Sequence, residues 1–138
     1  MTSVLYVYAV TRNAATPDAE GVDGTNRFGD AAIDDIHAVF TAVDAAEFSQ
    51  EVIDRRAGDL EWLGSIGYRH QAVMVDLMKK TAIVPLRAFT LFSSEDALRS
   101  YLTEQHDLLS KALDRLDGKQ AWTLRIELEA APHDLDVV

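Results

Sequence analysis

Apolar positions along the chain follow two regimes, one repeating every two residues and one every three or four. Val4-Leu5-Tyr6-Val7-Tyr8-Ala9-Val10 is apolar at both parities. Its β-branched and aromatic residues suit a pleated, packed surface and predict a central strand covered on both faces. Pro17, Gly21, Asp23 and Gly24 then supply turn chemistry, so residues 13–24 read as a loop. A short strand over 28–33 and a longer one over 36–43 follow. In the longer strand Ile36, Ala38, Phe40 and Ala42 share one parity, and His37, Val39, Thr41 and Val43 share the other. Asp34-Asp35 between the two strands predicts a tight hairpin turn.

From Asp59 the period lengthens. Leu60, Leu63, Gly67, His70, Met74 and Leu77 recur on one stripe, widened by Ile66 and Val73, and predict a helix over 59–80. Asp59 at its start and Lys79-Lys80 at its end complement the helix dipole. Residues 83–92 return to strand character. Pro85 has no N–H to donate, which confines it to the strand start, an edge or a bulge. Ser93 with Asp96 three residues on marks the start of a second helix over 94–117, and Gly118 is placed to stop it. In the last strand Trp122, Leu124, Ile126 and Leu128 alternate with Thr123, Arg125, Glu127 and Glu129, which puts Trp122 in the core.

These elements predict one domain over 1–130 and a C-terminal tail over 131–138. Two amphipathic helices on one face of a mainly antiparallel, four- to five-stranded sheet is the simplest packing, an α+β sandwich of ferredoxin-like type. A chain of 138 residues is long enough for one such core.

The net charge of −10 changes the list of partners: an acidic surface repels phosphate backbones and anionic lipid, so neither nucleic acid nor membrane is expected. Cysteine is absent, which removes disulfides, thiolate chemistry and Cys-based metal sites. The apolar run at 4–10 is far short of the ~20 residues that span a bilayer and lacks the features of a signal peptide. A cytoplasmic protein is the expectation.

Candidate chemistry is sparse. His37, His70, His106 and His133 make no pair at metal-ligand spacing, and no serine lies in a nucleophile motif. Gly21-Val22-Asp23-Gly24 is not a phosphate loop. Asp34-Asp35 and Glu95-Asp96 fit a turn and a helix N-terminus. His70, on the apolar stripe, reads as a buried histidine with a satisfied ring. Arg87, between Leu86 and Ala88, is either an internal ion pair or an exposed anchor on a binding edge. Trp62 is either core or interface. Neither a catalytic residue nor a cofactor or metal site is assigned.

Six segments, read in order, resemble the gas vesicle protein GvpL/GvpF family: residues 5–10, 21–24, 36–43, 60–63 leading to 70–74, 84–92, and 116–122. The most specific is Val84-Pro85-Leu86-Arg87-Ala88-Phe89-Thr90-Leu91-Phe92. The family-motif residues are His70, Pro85, Leu86, Arg87, Gly118 and Trp122, with structural or partner-binding roles. Departures are Ala121 where the family usually has Glu, and Ala88-Phe89 within the most specific segment. The resemblance covers the family's N-terminal domain, and its members usually continue into a second, largely helical domain. It implies a non-enzymatic accessory or structural protein of gas vesicles, located with them in the cytoplasm. Assembly by binding the major gas vesicle shell protein, contacts with other accessory proteins, and room for self-association are implied as well. The alternative from the residues alone is a small ferredoxin-like ligand-binding domain, a sensor module, or an α+β-barrel enzyme.

Overall fold

A computed structural model describes residues 3–116. The expected strand over 122–128, Gly118, Trp122, His133 and the boundary at 130 lie outside the described residues. Among the described residues five strands form one sheet: β1 (Ser3–Thr11), β2 (Gly29–Ile33), β3 (Ile36–Asp44), β4 (Ile83–Pro85) and β5 (Leu91–Phe92). The helices are α1 (Ala45–Phe48), α2 (Gln50–Arg55), α3 (Leu60–Lys80), α4 (Glu95–Glu104) and α5 (His106–Leu116). All pairings are antiparallel. The sheet runs β2-β3-β1-β4, with β5 also paired to β1. This is the α+β, ferredoxin-like sandwich that the patterning implies.

The hairpin forms where expected, with Ile33 opposite Ile36 and Asp34 in the left-handed region at φ 51°. Strand β1 is the centre of the sheet, with β3 along one edge and β4 and β5 along the other. Its register against β3 shifts between Val7 and Ala9, so Tyr8 is the extra residue of a bulge. Leu5, Val7 and Val10 therefore enter one apolar cluster, and Tyr6, Tyr8 and Ala9 the opposite one.

That division corrects the expectation that both long helices share one face. The first cluster holds Leu98 and Leu102 of α4 and Leu109, Leu113 and Leu116 of α5. The second holds Phe48 of α1 and Ile66, Val73, Met74 and Leu77 of α3. A central strand apolar at both parities demands cover on both sides, and the helices divide to supply it.

Two other elements differ from their predicted extents. Residues 83–92 are not one strand: after β4 the chain leaves the ladder at Pro85, bulges over 86–90 and returns as β5. Pro85 ends β4, where its missing N–H is tolerated, and Leu86 N–H still donates to the Tyr8 carbonyl before the chain turns outward. The predicted second helix is two, α4 and α5, broken at Gln105. Residues 103–107 carry no apolar side chain, and Thr103 Oγ1 donates to the Arg99 carbonyl at 2.9 Å, a back-bond that bends helices. The cap of α4 is Ser94, not Ser93; its hydroxyl accepts from the Ala97 N–H. Helices α1 and α2 were not anticipated, although Asp44 and Ser49 are N-caps of the usual chemistry.

Candidate functional site

On the α3 side of the sheet, the side chains of β1 are polar at their tips. Tyr8 Oη lies 2.8 Å from Thr41 Oγ1 and accepts from the Val22 N–H at 3.0 Å. A β-carbon at Gly21 would sit 2.8 Å from that tyrosine oxygen and 2.9 Å from the threonine oxygen. Only glycine lets the loop approach so closely, and the loop is thereby fastened over the sheet.

Two residues earlier, Tyr6 Oη lies 2.8 Å from His70 Nδ1, and His70 Nε2 lies 3.1 Å from the Leu86 carbonyl. A carbonyl only accepts, so Nε2 carries the proton. In the neutral ring Nδ1 is then the acceptor and Tyr6 the donor. Tyr6 also has a hydrogen bond from the Phe89 backbone. Burial holds the His70 pKa below its ordinary 6.5, the Leu86 carbonyl opposing the shift, and pushes the Tyr6 phenol well up. The histidine is neutral and both of its nitrogens are engaged.

The consequence is a clamped loop. Leu86 N–H donates to the Tyr8 carbonyl and Val7 N–H to the Thr90 carbonyl, each at 3.0 Å. Thr90 Oγ1 donates to the Arg87 carbonyl at 2.7 Å, and Phe89 takes the left-handed conformation at φ 65°. A bulky residue there is strained and persists only because its surroundings hold it. Its ring lies 6.1 Å from Tyr6 and 5.6 Å from Trp62, centroid to centroid. Arg56 stands over the Trp62 ring at 4.4 Å. Arg87 and Ala88, at the crest, are exposed.

A second polar cluster ties the hairpin turn to α5. His106 Nε2 lies 2.8 Å from Asp35 Oδ1, Arg12 pairs with the same carboxylate, and Ser110 Oγ donates to it at 3.3 Å. Arg12 also reaches Asp114 Oδ1 at 2.6 Å and the Ser110 carbonyl at 3.0 Å. Asp35, through its bond to His106, raises the histidine pKa, and the same bond lowers that of Asp35.

Of the residues singled out in the sequence, His70, Pro85, Leu86 and Arg87 meet at one place, the loop and the histidine beneath it. Arg87 lies at the exposed crest instead of within an apolar strand. Trp62 is half-buried against Phe89 and Phe48. Tyr6 was missed, although a phenol in a wholly apolar strand needs a hydrogen-bond partner, and His70 was the polar residue on the facing stripe. The His106–Asp35 pair, 71 residues apart, had no local signal. Among the described residues, no three His, Asp or Glu side chains converge as a metal site, and no helix is long and apolar enough to cross a membrane. The arrangement uses its polar groups to hold a loop in place, with both ring nitrogens of the buried histidine hydrogen-bonded.

Residues 4–137 match the family described as gas vesicle synthesis protein GvpL/GvpF. Gas vesicle protein L of Streptomyces sp. (strain CB03234) is 35% identical over 131 residues, covering 90% of this chain and 47% of that protein. The chain thus spans about half the length of that curated relative. No solved structure matches.

Proposed function

The chain belongs to the gas vesicle GvpL/GvpF family, and on that premise we propose that it acts, without catalysis, in gas vesicle assembly by binding the major shell protein. Its place is with the vesicle and its other accessory proteins in the cytoplasm. One observation carries the reading: the segment most specific to the family, residues 84–92, turns outward between β4 and β5 so that Arg87 and Ala88 are exposed at its crest, with the Tyr6–His70 pair locked beneath it. A recognition loop gains affinity from being held in its bound shape beforehand, since less ordering entropy is lost on docking. A shell subunit that faces a gas space must carry apolar surface, and such surface aggregates unless a soluble partner covers it. A carrier with a net charge of −10 keeps such a complex dispersed.

Co-expression of the tagged chain with the shell protein, followed by affinity capture, is the direct test. Capture of the shell protein by the wild type, lost in an Arg87→Glu/Ala88→Glu variant that still folds, is the expected result. Absence of capture under conditions where vesicles form overturns the proposal.

A further inference from the structure

Helix α3 carries a second apolar surface, on the side away from its buried stripe. Leu60, Gly64, Gly67, Gln71, Val75 and Met78 follow one another at steps of four, three, four, four and three residues, the spacing of a single helix face. All six are exposed; Leu60 is 80% and Met78 48% accessible. No charged side chain falls within the stripe. A β-carbon added at Gly64 or Gly67 would meet nothing within 4 Å. Each glycine costs the helix about 1 kcal/mol relative to alanine, and no neighbouring atom among the described residues explains either one.

The stripe is complementary to itself when reversed. If two copies of α3 lie antiparallel about a twofold axis between Gly67 and Gln71, Leu60 faces Met78 of the second copy. Gly64 then faces Val75, and Gly67 faces Gln71. Each glycine gap receives a larger side chain from the other helix. Glu61 and Lys79 are 18 residues apart, five helical turns, so both lie along the same flank of the stripe. In an antiparallel pair a flank meets its own copy, which sets Glu61 against Lys79 twice, once on each side of the axis. Tyr68, 77% exposed, borders that flank near the axis. The opposed helix dipoles favour the same arrangement. In a parallel pair each flank would meet the opposite flank of its copy, so Glu61 and Lys79 would not meet at all.

From this double match of size and charge we infer that the chain forms an antiparallel twofold dimer through the exposed stripe of α3. The interface is isologous, so it closes at two copies and leaves the 86–90 loop of each free to act. The inference does not depend on what that loop binds.

Sedimentation equilibrium of the whole chain up to about 1 mM tests it. A reversible dimer is expected. Gly64→Leu should weaken it by roughly tenfold or more, because the added side chain fills the gap that Val75 needs, while the monomer itself gains helix propensity. Glu61→Lys should weaken the dimer by roughly threefold to tenfold, and Glu61→Lys/Lys79→Glu should restore it. Because the chain has no cysteine, Leu60→Cys and Met78→Cys can be introduced singly. Mixed under oxidising conditions, the two variants should cross-link to each other in preference to themselves. A monomer over the whole concentration range overturns the inference and leaves the stripe to another chain. A dimer unaffected by Gly64→Leu, or Leu60→Cys cross-linking chiefly to itself, overturns it equally.

Discussion

The two faces of the sheet are built on different physics. Under α4 and α5 the core is mostly aliphatic: Leu5, Val7 and Val10 of the central strand pack against Leu98, Leu102, Leu109 and Leu113. Under α3 the aliphatic packing carries an aromatic, hydrogen-bonded group: Tyr6, Tyr8, Thr41 and His70 join into directed pairs. Apolar burial is non-directional and scales with area, so the first face supplies stability with tolerance for shape. Hydrogen bonds in a buried setting add little net energy but leave a large penalty when one partner is removed. The second face therefore specifies where things sit, above all the 86–90 loop. One face holds the molecule together; the other aims it.

The comparison is tested most strongly on the aliphatic side. Leu102→Ala removes a fully buried side chain and should cost about 2–5 kcal/mol in chemical denaturation, with the transition still cooperative. The loop in the folded fraction should be unchanged. On the aromatic side, Tyr6→Phe keeps the ring but leaves His70 Nδ1 without its donor, and about 1–3 kcal/mol should be lost. Its signature is local: amide exchange at residues 86–90 should accelerate more than exchange in α4 and α5. A uniform acceleration would mean that the Tyr6–His70 pair is only part of the general core.

Arg87→Ala separates aiming from stability. At an exposed position it should shift the denaturation midpoint by no more than about 1 kcal/mol, even allowing for a surface ion pair, while reducing capture of the shell protein. A loss of several kcal/mol would place Arg87 in the structural network instead.

The smallest expected effects come from pH, and they have opposite signs at the two places. Burial, the main cause, lowers the His70 pKa from 6.5, so the unfolded chain takes up a proton first as pH falls. The contribution of His70 is complete above 6.5 and declines below it. His106, at the rim of the aliphatic face, has its pKa raised by Asp35, with Asp107 and Asp34 adding to the effect. Its contribution is complete below 6.5 and is lost as pH rises through the raised value. Asp35, lowered chiefly by His106, keeps its own contribution above 3.8 and loses it in stronger acid. Hydrogen exchange at pH 5 and pH 8 should therefore show the 86–90 loop looser at the lower pH and the junction between the hairpin and α5 looser at the higher. The same direction at both places would mean that one of the two assignments is wrong.

Short-range periodicity was enough to place β1, the hairpin with its Asp34-Asp35 turn, and α3 within a residue or two. Alternation and helical spacing are local properties, and a strand apolar at both parities already announces two covered faces. That cue was sufficient to separate α3 from α4 and α5, but it gave way to the simpler picture of helices on a single face. Other features had no local trace. The bulge at Tyr8, which puts Ala9 on the α3 side with Tyr6 and Tyr8 and returns Val10 to the other, arises from pairing with β3. The break after Pro85 was legible as a constraint but not as a loop, because the outward path of 86–90 depends on Tyr6, Tyr8 and His70 holding it. His106 meets Asp35 across 71 residues, and no spacing rule reaches that far. Residue type and spacing decided which segments become strands and helices. Which polar tips meet, and therefore which loop is held out for recognition, was decided only when two faces of one sheet had to be packed at once.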